Sequence, residues 1–413
     1  MKTIKIGIFG LGRGSTFYNS ILANNGDIVA VCDNNPQKLQ EAKKLLNNEV
    51  ALYSDFGGLL NHPGLEAIFL CNCFHEHTPY AIQALEKNIH VLSECTSNGT
   101  MAEGVALVRA AEKSKALYML AENYPFMLFN QEMKRIHEGG TLGKVLFAEG
   151  EYNHPLDAND NETLLGLRSY AKHWRWHLPR TYYVTHALAP LMYITGAFPV
   201  RVSAMPCHAP YPEDTIIGAG MGDRAAIITC LNNDESVLRV TGCAAFGAHE
   251  NSYRICGEKG QVENIRGIND ILLRYNHWDV PEGMQDLNQY TPQWQDTSKE
   301  LIEAAGHGGG DFLVIREFFS CIRENKRPLF DVYFATTMAS VGILAHRSLL
   351  ERGVPYDIPD FRREEDRKQY ENDTLSPFYG EDGSEPTIAA SSHPETEPDI
   401  NKLSAKIQAY TQA

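Results

Sequence analysis

Up to about residue 122 the chain alternates short apolar runs with longer stretches in which apolar side chains recur every three or four positions. The runs 4–9, 27–32, 67–72, 90–93 and 117–121 have the length and flanks of buried strands, while 36–46 and 78–87 carry the period of amphipathic helices. Strand, helix and strand repeated in this way predict a parallel, doubly wound sheet, because parallel neighbours need a crossover long enough to hold a helix. From Lys144 the texture changes. Segments 144–153, 200–207, 225–231, 236–244 and 252–256 read as strands without helices of matching length between them. That pattern predicts an α+β domain with a large, open, mostly antiparallel sheet. Helical periodicity returns at 311–324 and 332–351. Residues 364–413 are polar, acidic and dotted with Pro and Ser, with one helical stretch at 399–411, and read as a surface-wrapping tail. The expected division is an α/β domain at 1–122, an α+β domain at 123–363 and the tail at 364–413.

Length and charge narrow the partners. A chain of 413 residues is long enough for two cores. Its 37 basic residues against 52 acidic ones leave a formal charge of −15, which repels nucleic acid and anionic membranes. No run of about 18 apolar residues is present, so no membrane-spanning helix is expected. The opening MKTIKIGIFGLGRG lacks the apolar core of a signal peptide. Nine cysteines are scattered, and the one close pair, Cys71 and Cys73, falls in a strand-like run that points them to opposite faces. A reduced, cytoplasmic protein with a small-molecule substrate is the expectation.

The first strand runs directly into Gly10-Leu11-Gly12-Arg13-Gly14-Ser15, with a helical pattern after it. Glycines at 10 and 12 permit a tight turn and close approach of backbone N–H groups to a pyrophosphate, and the helix N-terminus adds partial positive charge. Ser15 stands where the fingerprint has its third glycine, and a small residue there still allows helix and strand to pack. Asp33 ends the second strand, placed to accept hydrogen bonds from ribose hydroxyls and to repel a 2′-phosphate. A Rossmann domain binding NAD rather than NADP is therefore expected.

The run 67–72, then His77, then 90–94 resembles the glucose–fructose oxidoreductase/inositol dehydrogenase family, Gfo/Idh/MocA. The resemblance implies that Asn72, His77 and Glu94 join the glycine loop, Arg13 and Asp33 in holding the cofactor. Two family features are absent. The Lys of its Glu-Lys-Pro motif is replaced, the chain reading Glu94-Cys95-Thr96, and the Asp four residues before a later His is Tyr182. A narrower similarity spans most of the chain. It comprises Ala121-Glu122-Asn123, the Glu149-Gly150-Glu151-Tyr152 block, Trp174-Arg175, Tyr183-Val184-Thr185-His186, Gly306-His307-Gly308 and Asp331-Val332-Tyr333. In that order these blocks resemble the NAD-dependent glycoside hydrolase branch typified by α-N-acetylgalactosaminidases, which also lacks the Lys. The resemblance implies Tyr183 and His186 as catalytic residues, with Glu122, Tyr152, Trp174, Arg175 and His307 around a sugar. The open sheet expected after Lys144 needs a partner to cover its exposed apolar area, so a homo-oligomer is also expected.

The residues themselves limit these roles. Pro190 is accepted only in a first helical turn, which puts a helix start near 186–189 with Tyr183 and His186 just before it. A free tyrosine titrates near about 10, so Tyr183 acts as a base only beside a stabilising charge, such as a nicotinamide cation, Arg168 or Arg175. A free histidine titrates near about 6.5, so a histidine at 186 needs no such help to move protons near neutral pH. His154, His173, His177 and His307 lack the spacing of a zinc site, and no metal is expected. Trp174 and Trp176 alternate as in a strand, so at most one would face a cleft. The leading function is a glycosidase that works by transient oxidation at C3, β-elimination, water addition and re-reduction, which needs no pair of catalytic carboxylates. The alternatives are an NAD-dependent sugar or polyol dehydrogenase releasing ketosugar and NADH, and a non-catalytic NAD-sensing protein.

Overall fold

In the computed structural model, which describes residues 1–47 and 49–412, the first apolar runs form six parallel strands. These are β1 (Ile4–Phe9), β2 (Gly26–Cys32), β3 (Ala51–Tyr53), β4 (Ala67–Leu70), β5 (His90–Ser93) and β6 (Tyr118–Leu120), ordered β3-β2-β1-β4-β5-β6. Every residue of β4 is buried, as expected for a parallel strand covered on both faces. Helices Pro36–Leu45, His77–Glu86 and Met101–Lys113 supply crossovers. Two of them start where local chemistry dictates: Asn35 caps the first through the Gln37 amide at 2.9 Å, with Pro36 next, and Thr100 with Glu103 forms a capping box. Strand order reverses between β1 and β4, which opens a crevice at their C-terminal ends. Cys71 and Cys73 lie beyond the end of β4 rather than in a strand, and none of the nine cysteines is in a disulfide among the described residues.

The second sheet has nine strands: β7 (Val145–Asn153), β8 (Pro199–His208), β9 (Asp223–Asn232), β10 (Val237–Thr241), β11 (Glu250–Gly257), β12 (Gly260–Asn264), β13 (Ile271–Tyr275), β14 (Leu287–Tyr290) and β15 (Tyr356–Asp357). Their order is β14-β13-β12-β11-β7-β10-β9-β8-β15, antiparallel throughout except for the β10–β7 pair. The five strands expected from the pattern are present, though β10 stops at Thr241; β12 to β15 are shorter and were not legible. Along β7, Ala148, Gly150 and Tyr152 point inward while Glu149 and Glu151 point out. Glu149 and Glu151 pair with Arg239, Arg254 and Arg266 across β10, β11 and the turn after β12. That outer face therefore carries charge rather than bare apolar area awaiting cover.

The chain does not divide serially. One compact unit is residues 1–131 with 293–336 and 361–372; the other is 132–292 with 337–360 and 373–413. Helix Gly310–Glu324 belongs to the first because its apolar stripe, including Phe312, Phe318 and Phe319, is buried there, Phe319 reaching Gly26 of β2. The tail is likewise split by its anchors. Arg367 grips Glu112 with two bonds of 2.7 Å, whereas Asp373 pairs with Arg347, and Leu403 of helix Ile400–Gln412 is fully buried against Trp176 and Ile216. Among the described residues no helix is long and apolar enough to cross a membrane.

Helix Thr185–Thr195 lies on the inner face of the large sheet. It begins at Thr185, so Pro190 is its sixth residue and not in the first turn. Tertiary structure removes the cost that the sequence rule assumes. Proline cannot donate to the carbonyl four residues back, and that carbonyl, His186 C=O, instead accepts the hydroxyl of fully buried Tyr253 at 2.5 Å.

Two buried histidines give the fold an acid limit. Burial holds both His77, in the first unit, and His346, in the second, down to about 4. A depressed folded value means the stability is intact above the unfolded value of about 6.5 and is lost as pH falls from there towards 4. Thermal melts between pH 7 and 4 should show a progressive fall, and the variants His77→Gln and His346→Gln should each flatten it. A melting temperature independent of pH across that window would refute the assignment.

Candidate functional site

The nucleotide end lies where β1 meets the helical run Leu11–Gly14, Ser15–Phe17 and Tyr18–Ala23. Gly10 has φ +91°, and a Cβ on it would sit 2.4 Å from the Cys71 carbonyl oxygen after β4. No other residue satisfies that conformation and that approach together. A Cβ on Gly14 would meet Ile8 of β1 at 2.6 Å, so Gly14 takes the close helix–strand contact that the fingerprint assigns to its third glycine, leaving Ser15 free to bond the Gly12 carbonyl at 3.3 Å. Gly12 is open apart from the Lys38 ammonium, 3.4 Å from where a Cβ would be. Asp33 is buried, with Oδ2 accepting the Leu11 amide at 2.7 Å and Oδ1 the Asn35 amide at 2.8 Å. Asn72 follows β4; its Nδ2 donates to the Glu76 carbonyl and its buried Oδ1 has no partner within the fold. His77 Nδ1 donates to the Thr96 carbonyl at 2.8 Å. A side-chain-free crevice floor at Gly10, a carboxylate at the end of β2 and an unanswered amide oxygen fit an NAD dinucleotide at the switch point.

Arg13 does something the motif did not suggest. Its guanidinium lies 4.2 Å over Phe17 and bridges Glu94 at 2.9 Å and Asp311 at 2.8 Å. Asp311 also accepts from Asn123 at 2.7 Å and His307 at 3.1 Å. Burial alone would raise the Asp311 carboxyl, but the His307 bond and the Arg13 charge hold it well below the usual carboxylate range. His307 is thus tied down in a short turn, His307–Gly309. Glu122 is fully buried and accepts the Cys95 thiol at 3.2 Å and the Tyr124 amide at 3.2 Å. Cys95, in the place of the family's Lys, brings no charge to this end.

In the second unit, Tyr183 Oη lies 3.0 Å from His186 Nε2. The Tyr152 ring stands edge-on to both, 4.9 Å from His186 and 5.9 Å from Tyr183 between ring centres, which fixes the orientation of the pair. A hydrogen-bonded phenol and imidazole can pass a proton between them and to a third group. The helix carrying His186 sits close to β7 because Gly150 has no side chain: a Cβ there would lie 2.1 Å from the Ala187 carbonyl oxygen. Beyond Tyr152 come His154, at 5.9 Å, and His249, 4.7 Å further on. Tyr182, where the family has its Asp, is buried against Phe378 and His346 and is part of the core.

Trp174–Trp176 is one turn of 3₁₀ helix rather than strand. The turn buries Trp176 in the cluster with Leu164 and Tyr211, and leaves Trp174 half-buried under the Arg175 guanidinium at 4.3 Å. Sequence reasoning missed Tyr253 and Gly150, whose roles come from strands remote in the chain. Among the described residues, His154, His173, His177 and His307 form no metal-like group; His208, His393 and Glu395 come together instead.

Residues 4–122 match the oxidoreductase family with an NAD-binding Rossmann fold, Gfo/Idh/MocA, and residues 221–368 match the C-terminal domain of glycosyl hydrolase 109. A glycosyl hydrolase family 109 protein of Saccharopolyspora erythraea is 28% identical over 394 residues, covering 88% of this chain and 84% of that protein. One from Shewanella pealeana is 25% identical over 402 residues, covering 88% and 86%. Among solved structures, levoglucosan dehydrogenase in complex with NADH superposes with a TM-score of 0.73 at 17% identity, covering 87% of this chain and 100% of that one. Scyllo-inositol dehydrogenase from Lactobacillus casei gives 0.65 at 16% identity, covering 86% and 99%. The chain thus resembles the Gfo/Idh/MocA oxidoreductases over its NAD-binding Rossmann domain, and the glycosyl hydrolase family 109 proteins over most of its length.

Proposed function

We propose that the protein is an NAD-dependent glycoside hydrolase that cleaves by oxidation at C3, elimination across C2 and C1, water addition and re-reduction. The observation that carries this reading is the 3.0 Å Tyr183–His186 hydrogen bond in a chain that resembles this family and lacks its Lys. NAD, when bound, accepts a hydride from the sugar and gives it back, so none is consumed. The protein's own groups handle the protons. Once C3 is a ketone, the C2 proton is acidic, and Tyr183, with His186 as proton acceptor behind it, removes it. The same pair returns a proton to the glycosidic oxygen as the C1–O bond breaks. Tyr152, Trp174 and Arg175 are taken to line the sugar, with Glu122 and His307 as further binding residues. Gly10, Gly12, Gly14, Ser15, Arg13, Asp33, Asn72, His77 and Glu94 are taken to hold or support the cofactor, Arg13 and Glu94 through their ion pair. We also take the chain to be a cytoplasmic homo-oligomer, the location in keeping with nine cysteines outside any disulfide among the described residues; sedimentation as a strict monomer at micromolar concentration would remove the oligomer.

A panel of aryl glycosides, assayed in D₂O with and without added NAD⁺, tests the reaction. Phenol release with deuterium at C2 of the product is the expected outcome. Cleavage without exchange at C2 would sink the mechanism. The solved dehydrogenases of the same fold favour a second reading, a dehydrogenase releasing ketosugar. Stoichiometric NADH without phenol release would establish it.

The preference for NAD rests on Asp33. Lys38 Nζ stands 4.0 Å from its carboxylate and tempers the repulsion of a 2′-phosphate. Calorimetric titration should therefore find NAD⁺ bound more tightly than NADP⁺ by about tenfold, and Asp33→Ala should narrow that gap while weakening NAD⁺. Tighter NADP⁺ binding by the unaltered protein would overturn the role of Asp33.

A further inference from the structure

Residues 168–180 bring three arginines together in the second unit. Arg168 is only 7% exposed, with its guanidinium 5.3 Å over the buried Trp176 ring. Among the described residues it forms no ion pair, and its buried Nη1 has no hydrogen-bond partner. Arg180 forms no ion pair either; its buried Nε has no hydrogen-bond partner, and its side chain contacts the thiol of Cys243, which burial keeps protonated. The Tyr211 hydroxyl, close enough to act on Arg168, is also buried without a partner. Burial, reinforced by the charges of Arg175 and Arg180, lowers Arg168 to about 10. The same two arginines act on His154, whose ring abuts Tyr152 beside the Tyr183–His186 pair. The cationic cluster therefore lies within electrostatic reach of His154, whose neighbour Tyr152 packs on the proposed proton-transfer pair.

An arginine buried without a counter-ion costs several kcal/mol in order of magnitude, and packing does not require one. A fold keeps such a group when a ligand supplies the missing charge, and guanidinium matches two-oxygen anions.

We propose that Arg168 and Arg180 recognise an oxyanion on the sugar substrate, so that the enzyme takes an acidic carbohydrate, a uronic acid or a sulfate ester. This rests on the reading of the protein as a carbohydrate-active enzyme. The shared chemistry is a monoanionic group with at least two oxygens, set on the side of the sugar that faces the cluster.

Direct binding tests it without turnover. The NAD⁺-loaded enzyme is titrated calorimetrically with methyl glucuronide against methyl glucoside, methyl galacturonide against methyl galactoside, galactose 6-sulfate against galactose, and inorganic sulfate. At least one charged sugar should bind about tenfold or more tighter than its neutral counterpart, the scale of one charge-assisted hydrogen bond. A uronide or a sulfated sugar winning tells the two oxyanions apart. Arg168→Met should abolish the preference and Arg168→Lys keep part of it. Ligand-free Arg168→Met should melt at the same or a higher temperature, because an unpaired buried charge is gone; a marked fall would mean a structural role and overturn the proposal. Equal binding of charged and neutral sugars throughout overturns it too. So does inorganic sulfate binding as tightly as the charged sugars, which would mean an adventitious ion only. A charged-sugar preference without C2 exchange during cleavage would leave this site standing and remove only the elimination mechanism.

Discussion

Tyr183→Phe should lower kcat by about 10²-fold or more, and His186→Ala by a similar factor, with NAD⁺ affinity unchanged in both. The two side chains share one hydrogen bond of 3.0 Å, so removing either the phenol oxygen or the imidazole breaks the same proton path. The double variant should consequently be little worse than either single one, since groups acting as a unit are strongly non-additive. The isotope experiment separates the steps. If the pair handles the C2 proton, both variants should still form a small burst of NADH, because oxidation at C3 precedes its action, while exchange at C2 and phenol release fall together. A Tyr183→Phe enzyme with normal C2 exchange would show that another group is the base. Full additivity of the two losses would mean that the 3.0 Å contact is not the path.

Gly150→Ala is expected to disable the enzyme from a position that contributes no functional group. The added Cβ would lie 2.1 Å from the Ala187 carbonyl oxygen and 3.1 Å from its carbon, both backbone, so no rotamer change relieves the clash. Either β7 or helix Thr185–Thr195 must move. Overpacking against backbone should destabilise by about 3 kcal/mol or more, equivalent to a melting point lower by roughly 6–12 °C for a unit of this size. A shift of about 1 Å in the helix that carries His186 would add a loss in kcat on the order of 10²-fold. Gly166→Ala is the control, because a Cβ at Gly166 meets nothing within 4 Å. It should be neutral or slightly stabilising. Normal stability and activity in Gly150→Ala would mean that the strand and helix have slack not evident in their packing.

The first domain was legible because its signals are local. A buried parallel strand must be apolar along its whole length, a helix between strands must repeat every three or four residues, and a dinucleotide turn needs glycine where φ is positive. Ile4–Phe9, the helix Pro36–Leu45 and Gly10 each satisfy such a rule within a few neighbours. The Tyr183–His186 spacing was local too, and the chain's entry into helix Thr185–Thr195 brings the two side chains within 3.0 Å.

What the sequence could not express is what depends on a partner far along the chain. Pro190 breaks a rule that assumes an orphaned carbonyl, yet Tyr253, 67 residues after His186, donates to that carbonyl. Arg13 sits in the glycine fingerprint, but its guanidinium is claimed by Asp311, 298 residues away. Strands β12 to β15 are two to five residues long and carry too few positions to display a period, so the ladder beside them had to define them. Periodicity determined the two fold types, the glycine turn with Asp33 pointed to the cofactor class, and the family resemblance supplied the candidate proton-transfer pair. Only the tertiary structure decided which units the segments 293–336 and 361–372 join, which charges are neutralised and which, like Arg168, are left without a counter-ion, because burial and long-range pairing are properties of the packed chain and not of any stretch of it.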